Sequence, residues 1–189
     1  RVLEKKNENH IEILSISSVI PLKRIDKILE VTSQLYKFRI KWTHIGDGPS
    51  LDTLKSMSSK RVQENSNFSF EFLGHLPNTE VRNILSNQYF DLFINLSETE
   101  GVPVSIMEAQ SAGIPVLATN VGGSGEIVSR ENGFLVEPGD CSGMAAYLAK
   151  LLRDNTLREQ LGKAGRQRVL SCFSIDAMAL GNHHVYQKV

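Results

Sequence analysis

The hydrophobic pattern along the chain alternates between two periods. Short apolar runs with the composition of β-strands are separated by stretches in which apolar residues recur at the helical spacing. Strands are predicted over residues 11–16, 38–45, 67–73, 89–96, 114–119 and 133–136. Helices are predicted over residues 24–36, 50–57, 78–85 and 103–112, with a helical turn over residues 126–129. This alternation favours βαβ units, so we expect an α/β fold with a mainly parallel six-stranded sheet between two layers of helices.

The two ends of the chain read differently from its middle. After the sixth strand only helices are predicted, over residues 141–153 with Asp140 as N-cap, over residues 156–170, and from an N-cap at Ser174 to about residue 187. The chain begins with Arg1 rather than Met, so we expect part of a longer protein. Residues 1–10 would then be a linker from a preceding domain, residues 11–173 a domain, and residues 174–189 a C-terminal helix.

Composition and charge narrow the classes of function. The 189 residues, 41% of them hydrophobic, suffice for one domain with a sizeable core. Lys plus Arg and Asp plus Glu number 21 each, which predicts no general attraction to nucleic acid or anionic lipid. No apolar run approaches the roughly 20 residues of a membrane span. Cys141 and Cys172 lack the spacing of a zinc site, so we expect free thiols and no metal.

Two glutamates eight residues apart, Glu100 and Glu108, are the first candidates for chemistry. They follow the fourth predicted strand, and the carboxyl ends of the strands are where an open α/β sheet keeps its ligand site. Carboxylates there would accept hydrogen bonds from the hydroxyls of a ribose or a sugar. Their spacing alone equally allows a surface glutamate and a helix-capping glutamate.

The backbone between these glutamates is suited to an anion. Pro103 fits the first turn of a helix, where its missing N–H would be unpaired in any case, and Gly101 lets the backbone approach a ligand closely. The N–H groups of Val102, Val104 and Ser105 would point out of the helix start, with the positive end of the helix dipole behind them. We therefore expect phosphate to bind here.

A second candidate lies in the loop after the first predicted strand, which carries Lys23 and Arg24 at the start of a helix. Cations at that end oppose the helix dipole. A bound anion is a reasonable explanation of both charges, and two solvated basic residues are the open alternative.

Two glycine-rich turns, residues 46–49 and 120–125, follow the second and fifth strands. Neither is a dinucleotide fingerprint, because G-x-G-x-x-G would need glycine where Leu51 and Val128 stand. The second turn could also present backbone N–H groups to a ligand. His75, after the third strand, is the histidine that we expect to line a cleft, and none of the five histidines has metal-ligand spacing.

Taken together, these segments resemble the C-terminal, donor-binding domain of retaining GT-B glycosyltransferases of the family 4 type (glycosyl transferases group 1). The hallmark of that group is an E-x7-E element, which Glu100 and Glu108 match. Further matches occur in order along residues 11–173: Gly46-Asp47-Gly48-Pro49, Ser97, Gly101-Val102-Pro103, Gly113-Ile114-Pro115-Val116, Ala118-Thr119, Val121-Gly122-Gly123, Glu126-Ile127-Val128, Asn132-Gly133 and Pro138-Gly139-Asp140. The resemblance implies a Rossmann-like three-layer fold, the C-terminal half of a GT-B enzyme.

The resemblance also implies roles for individual residues. Glu108 matches the glutamate that holds the ribose of the nucleotide, and Glu100 the catalytic glutamate near the donor sugar. The backbone from Gly101 to Val104 corresponds to the diphosphate cradle. Lys23 matches the basic residue that neutralises the diphosphate. The loop of Gly74, His75 and Leu76 corresponds to the place where the base packs.

The chain departs from the family pattern in one place. The family commonly has an arginine five residues before the lysine, where this chain has Ser18, and a glycine after the lysine, where it has Arg24. We expect Arg24 to supply the second positive charge. The alternative is that the second charge is absent.

The resemblance predicts transfer of a sugar from a nucleotide-diphosphate sugar to a glycan or lipid acceptor, with retention of configuration and without a metal. The acceptor would bind the missing N-terminal domain, so this chain alone should be inactive. The resemblance also implies that the helix over residues 174–189 packs on that missing domain. A cytoplasmic enzyme is expected, with peripheral membrane association of the full-length protein as an option. A GT-B nucleotide-sugar epimerase, a phosphorylase-like enzyme and a non-catalytic nucleotide-binding module are the alternatives.

Overall fold

The computed structural model of the chain describes residues 10–177 and residue 179. Its strands are β1 (Ile11–Ile16), β2 (Ile40–Ile45), β3 (Phe68–Phe72), β4 (Leu92–Asn95), β5 (Val116–Thr119) and β6 (Gly133–Val136). Its helices are α1 (Asp26–Ser33), α2 (Leu51–Glu64), α3 (Asn78–Asn87), α4 (Val104–Ser111), α5 (Ser124–Ile127), α6 (Cys141–Arg153) and α7 (Asn155–Cys172).

The six strands form one sheet in the order β3-β2-β1-β4-β5-β6, and every neighbouring pair is parallel. This confirms the predicted α/β fold and its six strands. The strand order reverses between β1 and β4, which lie side by side although β2 and β3 separate them in sequence. In such a sheet the loops that leave these two strands diverge and open a crevice at their carboxyl ends.

The core lies on both faces of the sheet because successive side chains of a strand point to opposite sides. Ile13 and Ile94 belong to one buried cluster together with Leu148 of α6. Leu14 and Phe93, their neighbours in sequence, belong to the other, together with Ile106 of α4, Val81 of α3 and Ile114. This is the predicted arrangement of three layers.

The first two helices differ from their predicted bounds. Residues 21–23 form a short 3-10 helix that ends at Arg24, and α1 starts only at Asp26 because Arg24 has a left-handed backbone. The second helix extends to Glu64, beyond the predicted residue 57. Its added residues are mostly good helix formers that face solvent, so hydrophobic periodicity could not mark them.

The predicted caps of the C-terminal helices are present. Asp140 accepts a hydrogen bond from the Gly143 N–H at 2.8 Å, and Ser174 Oγ accepts from the Ala177 N–H at 3.2 Å. The second helix of this region begins one residue earlier than predicted, after its N-cap Asp154. The final helix begins at residue 175. Its predicted continuation to residue 187 and most of the predicted linker over residues 1–10 lie outside the described residues.

A buried ion pair ties α7 to the start of β4. Arg158 Nη2 lies 3.0 Å from Asp91 Oδ1, and the Asp91 side chain is fully buried. Asp91 also accepts hydrogen bonds from the Tyr89 hydroxyl at 3.1 Å and from the Glu12 N–H at 2.9 Å. Burial, followed by the nearby Asp91 charge, raises the pKa of Tyr89 to about 12. This network fixes the amino-terminal ends of the central strands β1 and β4, at the end of the sheet opposite the crevice.

Candidate functional site

The two loops at the reversal of strand order carry the predicted chemical groups to one place. Lys23, in the loop after β1, donates a hydrogen bond from Nζ to Oε2 of Glu100, in the loop after β4, at 2.7 Å. The backbones also join, because the Glu98 N–H donates to the Leu22 carbonyl at 2.8 Å. The lysine and the first glutamate, 77 residues apart in sequence, therefore form one centre.

Two more donors fix the Glu100 carboxylate in place. Ser97 Oγ donates to Oε1 at 2.6 Å, and Asn95 Nδ2 donates to the same oxygen at 3.1 Å. Ser97 is itself held, since its carbonyl accepts from Thr119 Oγ1 at 2.6 Å. A carboxylate has about four lone-pair positions, so three donors leave room for about one hydroxyl of a ligand.

These donors also set the ionisation of Glu100, whose side chain is only 8% exposed. Burial by itself raises the pKa of this carboxyl. Hydrogen bonds from Lys23, Ser97 and Asn95 outweigh that effect, and the pKa lies below its ordinary value. Glu100 is thus an anion at neutral pH, able to accept hydrogen bonds or to stabilise positive charge.

Arg24 adopts a left-handed conformation, with φ 46° and ψ 42°, which a glycine would take without cost. Its guanidinium donates to Asp26, with Nε 3.3 Å from Oδ1, and to Glu98. These hydrogen bonds raise the pKa of Arg24 above its ordinary value. Arg24 is paired with two acids, and its predicted contact with phosphate stays a prediction. Ser18, where the family has arginine, is exposed.

The start of α4 lies directly after the Glu100 loop. Pro103 is its N-cap and is buried, so the helix begins at Val104, one residue after its predicted start. Gly101, Val102 and Val104 are exposed. The N–H groups of Val104 and Ser105 open the helix, where an α-helix supplies no acceptor for them. The anion-binding geometry expected between the glutamates is therefore available.

Glu108 lies on the second turn of α4 and is half-buried. Its Oε1 accepts a hydrogen bond from Asn78 Nδ2 at 2.8 Å. Asn78 opens α3, directly after the predicted base loop. In that loop Gly74 has a left-handed φ of 69°, His75 is exposed, and Leu76 packs against the second core cluster.

The glycine-rich turn after β5 supports the Glu100 loop from the side. A Cβ on Gly122 would lie 1.8 Å from the Glu100 carbonyl oxygen, and a Cβ on Gly123 would lie 2.7 Å from the Gly101 oxygen. The Gly123 N–H donates to that same Gly101 oxygen at 2.6 Å. This N–H is therefore used within the protein and is not offered to a ligand.

The turn after β2 supports the lysine loop in the same manner. A Cβ on Gly46 would lie 1.8 Å from the Ser17 carbonyl oxygen, and one on Gly48 would lie 2.5 Å from that of Val19. The Val19 N–H donates to the Asp47 carbonyl at 2.9 Å. Both glycine-rich turns thus position the loops that carry Lys23 and Glu100.

A series of hydrogen-bonded, buried polar side chains joins β1 to β2. Trp42 Nε1 donates to Ser15 Oγ at 2.8 Å, and Ser15 Oγ lies 2.8 Å from His44 Nδ1. Ser15 Oγ accepts from Trp42, and the tautomer of His44 decides which of Ser15 and His44 donates to the other. Burial lowers the pKa of His44 to about 4, although the backbone of Ser17 partly opposes the shift. His44 is therefore a neutral core residue.

Several residues of the site were missed by the sequence reasoning. Asn78, Asn95 and Thr119 lie at element ends; in the fold Asn78 bonds to Glu108, Asn95 to Glu100, and Thr119 to the Ser97 carbonyl. Glu98 lies two residues before Glu100, and no local signal marks it as the partner of an arginine in another loop. Within residues 10–177 and 179, no group of three or more His, Cys, Asp or Glu side chains could hold a metal ion. The same residues include no helix long and apolar enough to cross a membrane.

The model of the family "Glycosyl transferases group 1" matches residues 2–168. The chain belongs to this family. Among curated relatives it is 27% identical over 179 residues to N-acetyl-alpha-D-glucosaminyl L-malate synthase of Bacillus anthracis, which covers 94% of this chain and 45% of that protein. The chain thus spans about half the length of this relative.

Solved structures of GT-B glycosyltransferases share the fold. The C-terminal domain of the group 1 glycosyl transferase LpcC of Francisella tularensis matches with a TM-score of 0.76 at 24% identity, over 87% of each chain. HepE of Anabaena, solved in complex with UDP and glucose, matches with a TM-score of 0.78 at 19% identity, over 96% of this chain and 49% of that one. The fold is the Rossmann-like half of a GT-B glycosyltransferase, as the resemblance implied.

Proposed function

We propose that this chain is the donor-binding half of a glycosyltransferase that transfers a sugar from a nucleotide-diphosphate sugar. The observation that carries the proposal is the contact between Lys23 and Glu100 across the crevice between β1 and β4, beside the open start of α4. The group places a cation, a helix N-terminus and an ionised carboxylate together. Family membership favours sugar transfer over the epimerase, phosphorylase-like and non-catalytic alternatives.

The distribution of charged groups in the site supports a mechanism for cleaving the donor. Breaking a bond between a sugar and a diphosphate leaves negative charge on the leaving group and positive character on the sugar ring. Lys23 and the N–H groups at the start of α4 would stabilise the diphosphate. Glu100 would accept a sugar hydroxyl and stabilise the positive ring. Glu108, on the second turn of α4, would accept hydrogen bonds from the ribose.

Lys23 has two tasks in this scheme. It pairs with Glu100 within the protein, and with donor bound it would turn toward the diphosphate. Glu100 would keep the bonds from Ser97 and Asn95 and so stay in place while its Oε2 becomes free for the sugar. Arg24 is proposed as the second cation, which requires it to leave Glu98 or to bridge Glu98 and phosphate. The loop at Gly74, His75 and Leu76 is the proposed place of the base.

The rest of the reaction belongs to the whole enzyme. We propose that the acceptor, a glycan or lipid, binds a second domain, that transfer retains configuration without a metal, and that this chain alone does not turn over. HepE, solved with UDP and glucose, and TarM of Staphylococcus aureus, solved with UDP and alpha-GlcNAc-glycerol, are consistent precedents for donor and acceptor chemistry.

Thermal-shift measurements on the 189-residue chain with UDP, GDP and ADP test the proposal. A ligand that binds only the folded state raises stability by RT ln(1 + [L]/Kd), so the nucleotides are ranked directly. The preferred nucleotide should raise the melting temperature, and Lys23→Ala and Glu108→Ala should reduce that rise. No shift with any nucleotide at millimolar concentration contradicts the donor-site assignment.

A further inference from the structure

We propose that Asn78 is a positioning residue that orients Glu108 for the ribose of the donor. The inference rests on the proposed function and names a residue to which the family pattern gave no role. Asn78 Nδ2 donates to Glu108 Oε1 at 2.8 Å. A bond to that oxygen leaves Oε2 as the acceptor for the ribose hydroxyls.

The two ends of this hydrogen bond are anchored independently. The start of α3 is fixed by the Pro77 carbonyl, which accepts from the N–H groups of Glu80 and Val81 at 2.9 and 3.1 Å. Val81 on α3 and Ile106 on α4 are both buried in the same core cluster. The contact therefore joins two packed helices, and its geometry is set by the fold.

The chemistry of an amide suits this task. Asn78 supplies a directed N–H donor and no charge, so Glu108 keeps its full negative charge for hydroxyl donors. This differs from Glu100, whose charge is neutralised by Lys23. An aspartate at position 78 would have the same shape but, when ionised, would repel Glu108 and offer it no donor.

Glu108 also has competing partners, which makes a fixed orientation useful. It lines a cavity of about 340 Å³ together with Arg82 of α3 and Arg166 of α7. Arg166 is held by a hydrogen bond to the Ser111 carbonyl. Without Asn78 the carboxylate is free to turn toward either guanidinium and away from a ribose. Asn78 thus determines which direction Glu108 faces.

The test compares ribose recognition in matched variants of the 189-residue chain. The dissociation constants of UDP, GDP and ADP and of their 2′,3′-dideoxy forms are measured by calorimetry for the wild type, Asn78→Ala, Asn78→Asp and Glu108→Ala. Asn83→Ala is the control, because Asn83 is an exposed asparagine of the same helix that bonds to Asn87. The measured quantity is the ratio of ribose to dideoxyribose affinity, which a general loss of stability would not change.

For the nucleotide that binds, we expect Asn78→Ala to lower this ratio by roughly 3- to 10-fold, the range of one hydrogen bond of about 1 kcal/mol. Asn78→Asp should lower it at least as much while keeping the shape of the side chain, and Asn83→Ala should keep the wild-type ratio. A wild-type ratio in both Asn78 variants, with a reduced ratio in Glu108→Ala, overturns this inference alone. Failure of the wild type to bind any of the nucleotides overturns the proposed function and the inference with it.

Discussion

The support that Gly122 gives to the Glu100 loop can be tested with Gly122→Ala. A Cβ at this position would lie 1.8 Å from the Glu100 carbonyl oxygen and 2.7 Å from its carbon. Because both neighbours are backbone atoms, no side chain can rotate away. The loop must move by more than 1 Å to restore an ordinary contact, and Glu100 must move with it.

Gly139 provides a matched control. It has a left-handed φ of 84°, comparable to the 51° of Gly122, but a Cβ there would have no neighbour within 4 Å. Alanine at either position carries the strain of a left-handed residue, about 1–2 kcal/mol. Gly122→Ala adds the cost of a forced displacement in a packed region, about 1–3 kcal/mol. The difference between the two variants isolates the steric contact.

Calorimetric melting gives the first measurement. A change of 1 kcal/mol shifts the melting temperature of a chain of this size by roughly 2–4 °C. We therefore expect Gly139→Ala to melt roughly 2–8 °C below the wild type, and Gly122→Ala several degrees lower still. Binding of a nucleoside diphosphate gives the second measurement. Gly122→Ala should disturb this binding, because moving Glu100 disturbs its contact with Lys23, whereas Gly139→Ala should not. Equal melting temperatures and equal binding in the two variants would refute the assigned support.

Three further predictions concern stability. Arg158→Ala should lower the free energy of unfolding by about 3–5 kcal/mol, because it removes the guanidinium that pairs with the buried Asp91 carboxylate, and urea denaturation would measure this. A loss below about 1 kcal/mol would contradict the role given to the pair. His44 binds a proton in the unfolded state near pH 6.5 and in the folded state only near pH 4, so the wild type should lose about 3 kcal/mol as the pH falls through this window. In His44→Gln that part of the pH dependence should disappear, and an unchanged slope of urea midpoint against pH would count against it. Arg24→Gly should change the free energy of unfolding by less than about 1 kcal/mol, because relief of the left-handed strain offsets the lost ion pair with Glu98. A melting temperature lower by about 10 °C or more would show that this ion pair contributes far more stability than an exposed pair should.

The fold was largely predictable because local patterns and topology agree. All six strands and the α/β alternation were visible in the hydrophobic periods, and the caps at Asp140 and Ser174 were visible in single residues. The long second half of α2 was not, because Leu54 and Ser58 are its only buried residues among those described and the rest follows no apolar period. The break before α1 was not predictable, because an arginine gives no sequence signal of a left-handed backbone.

The site was predictable in outline but not in its contacts. Lys23 and Glu100 lie in the loops after β1 and β4, and Glu108 lies on the helix that follows, so their place beside the crevice followed from the fold class. Their contacts did not, because Asn78 and the glycine-rich turns approach from other elements of the chain, and nothing in the local sequence marks Asn95 as a partner of Glu100. The glycines illustrate this difference. The turn over residues 120–125 was expected to be able to present N–H groups to a ligand, whereas the close packing of one backbone on another is visible only in three dimensions.

The contact between Lys23 and Glu100 also bears on how a donor would reach the site. The lysine charge is balanced by a carboxylate 2.7 Å away, so the pair has little net field at a distance. The open crevice therefore exerts weak long-range attraction on a diphosphate, and electrostatic steering contributes little to the association rate. The association rate of the donor should then depend only weakly on ionic strength. The lysine–phosphate contact, which replaces the ion pair of Lys23 with Glu100, should act on the dissociation rate instead.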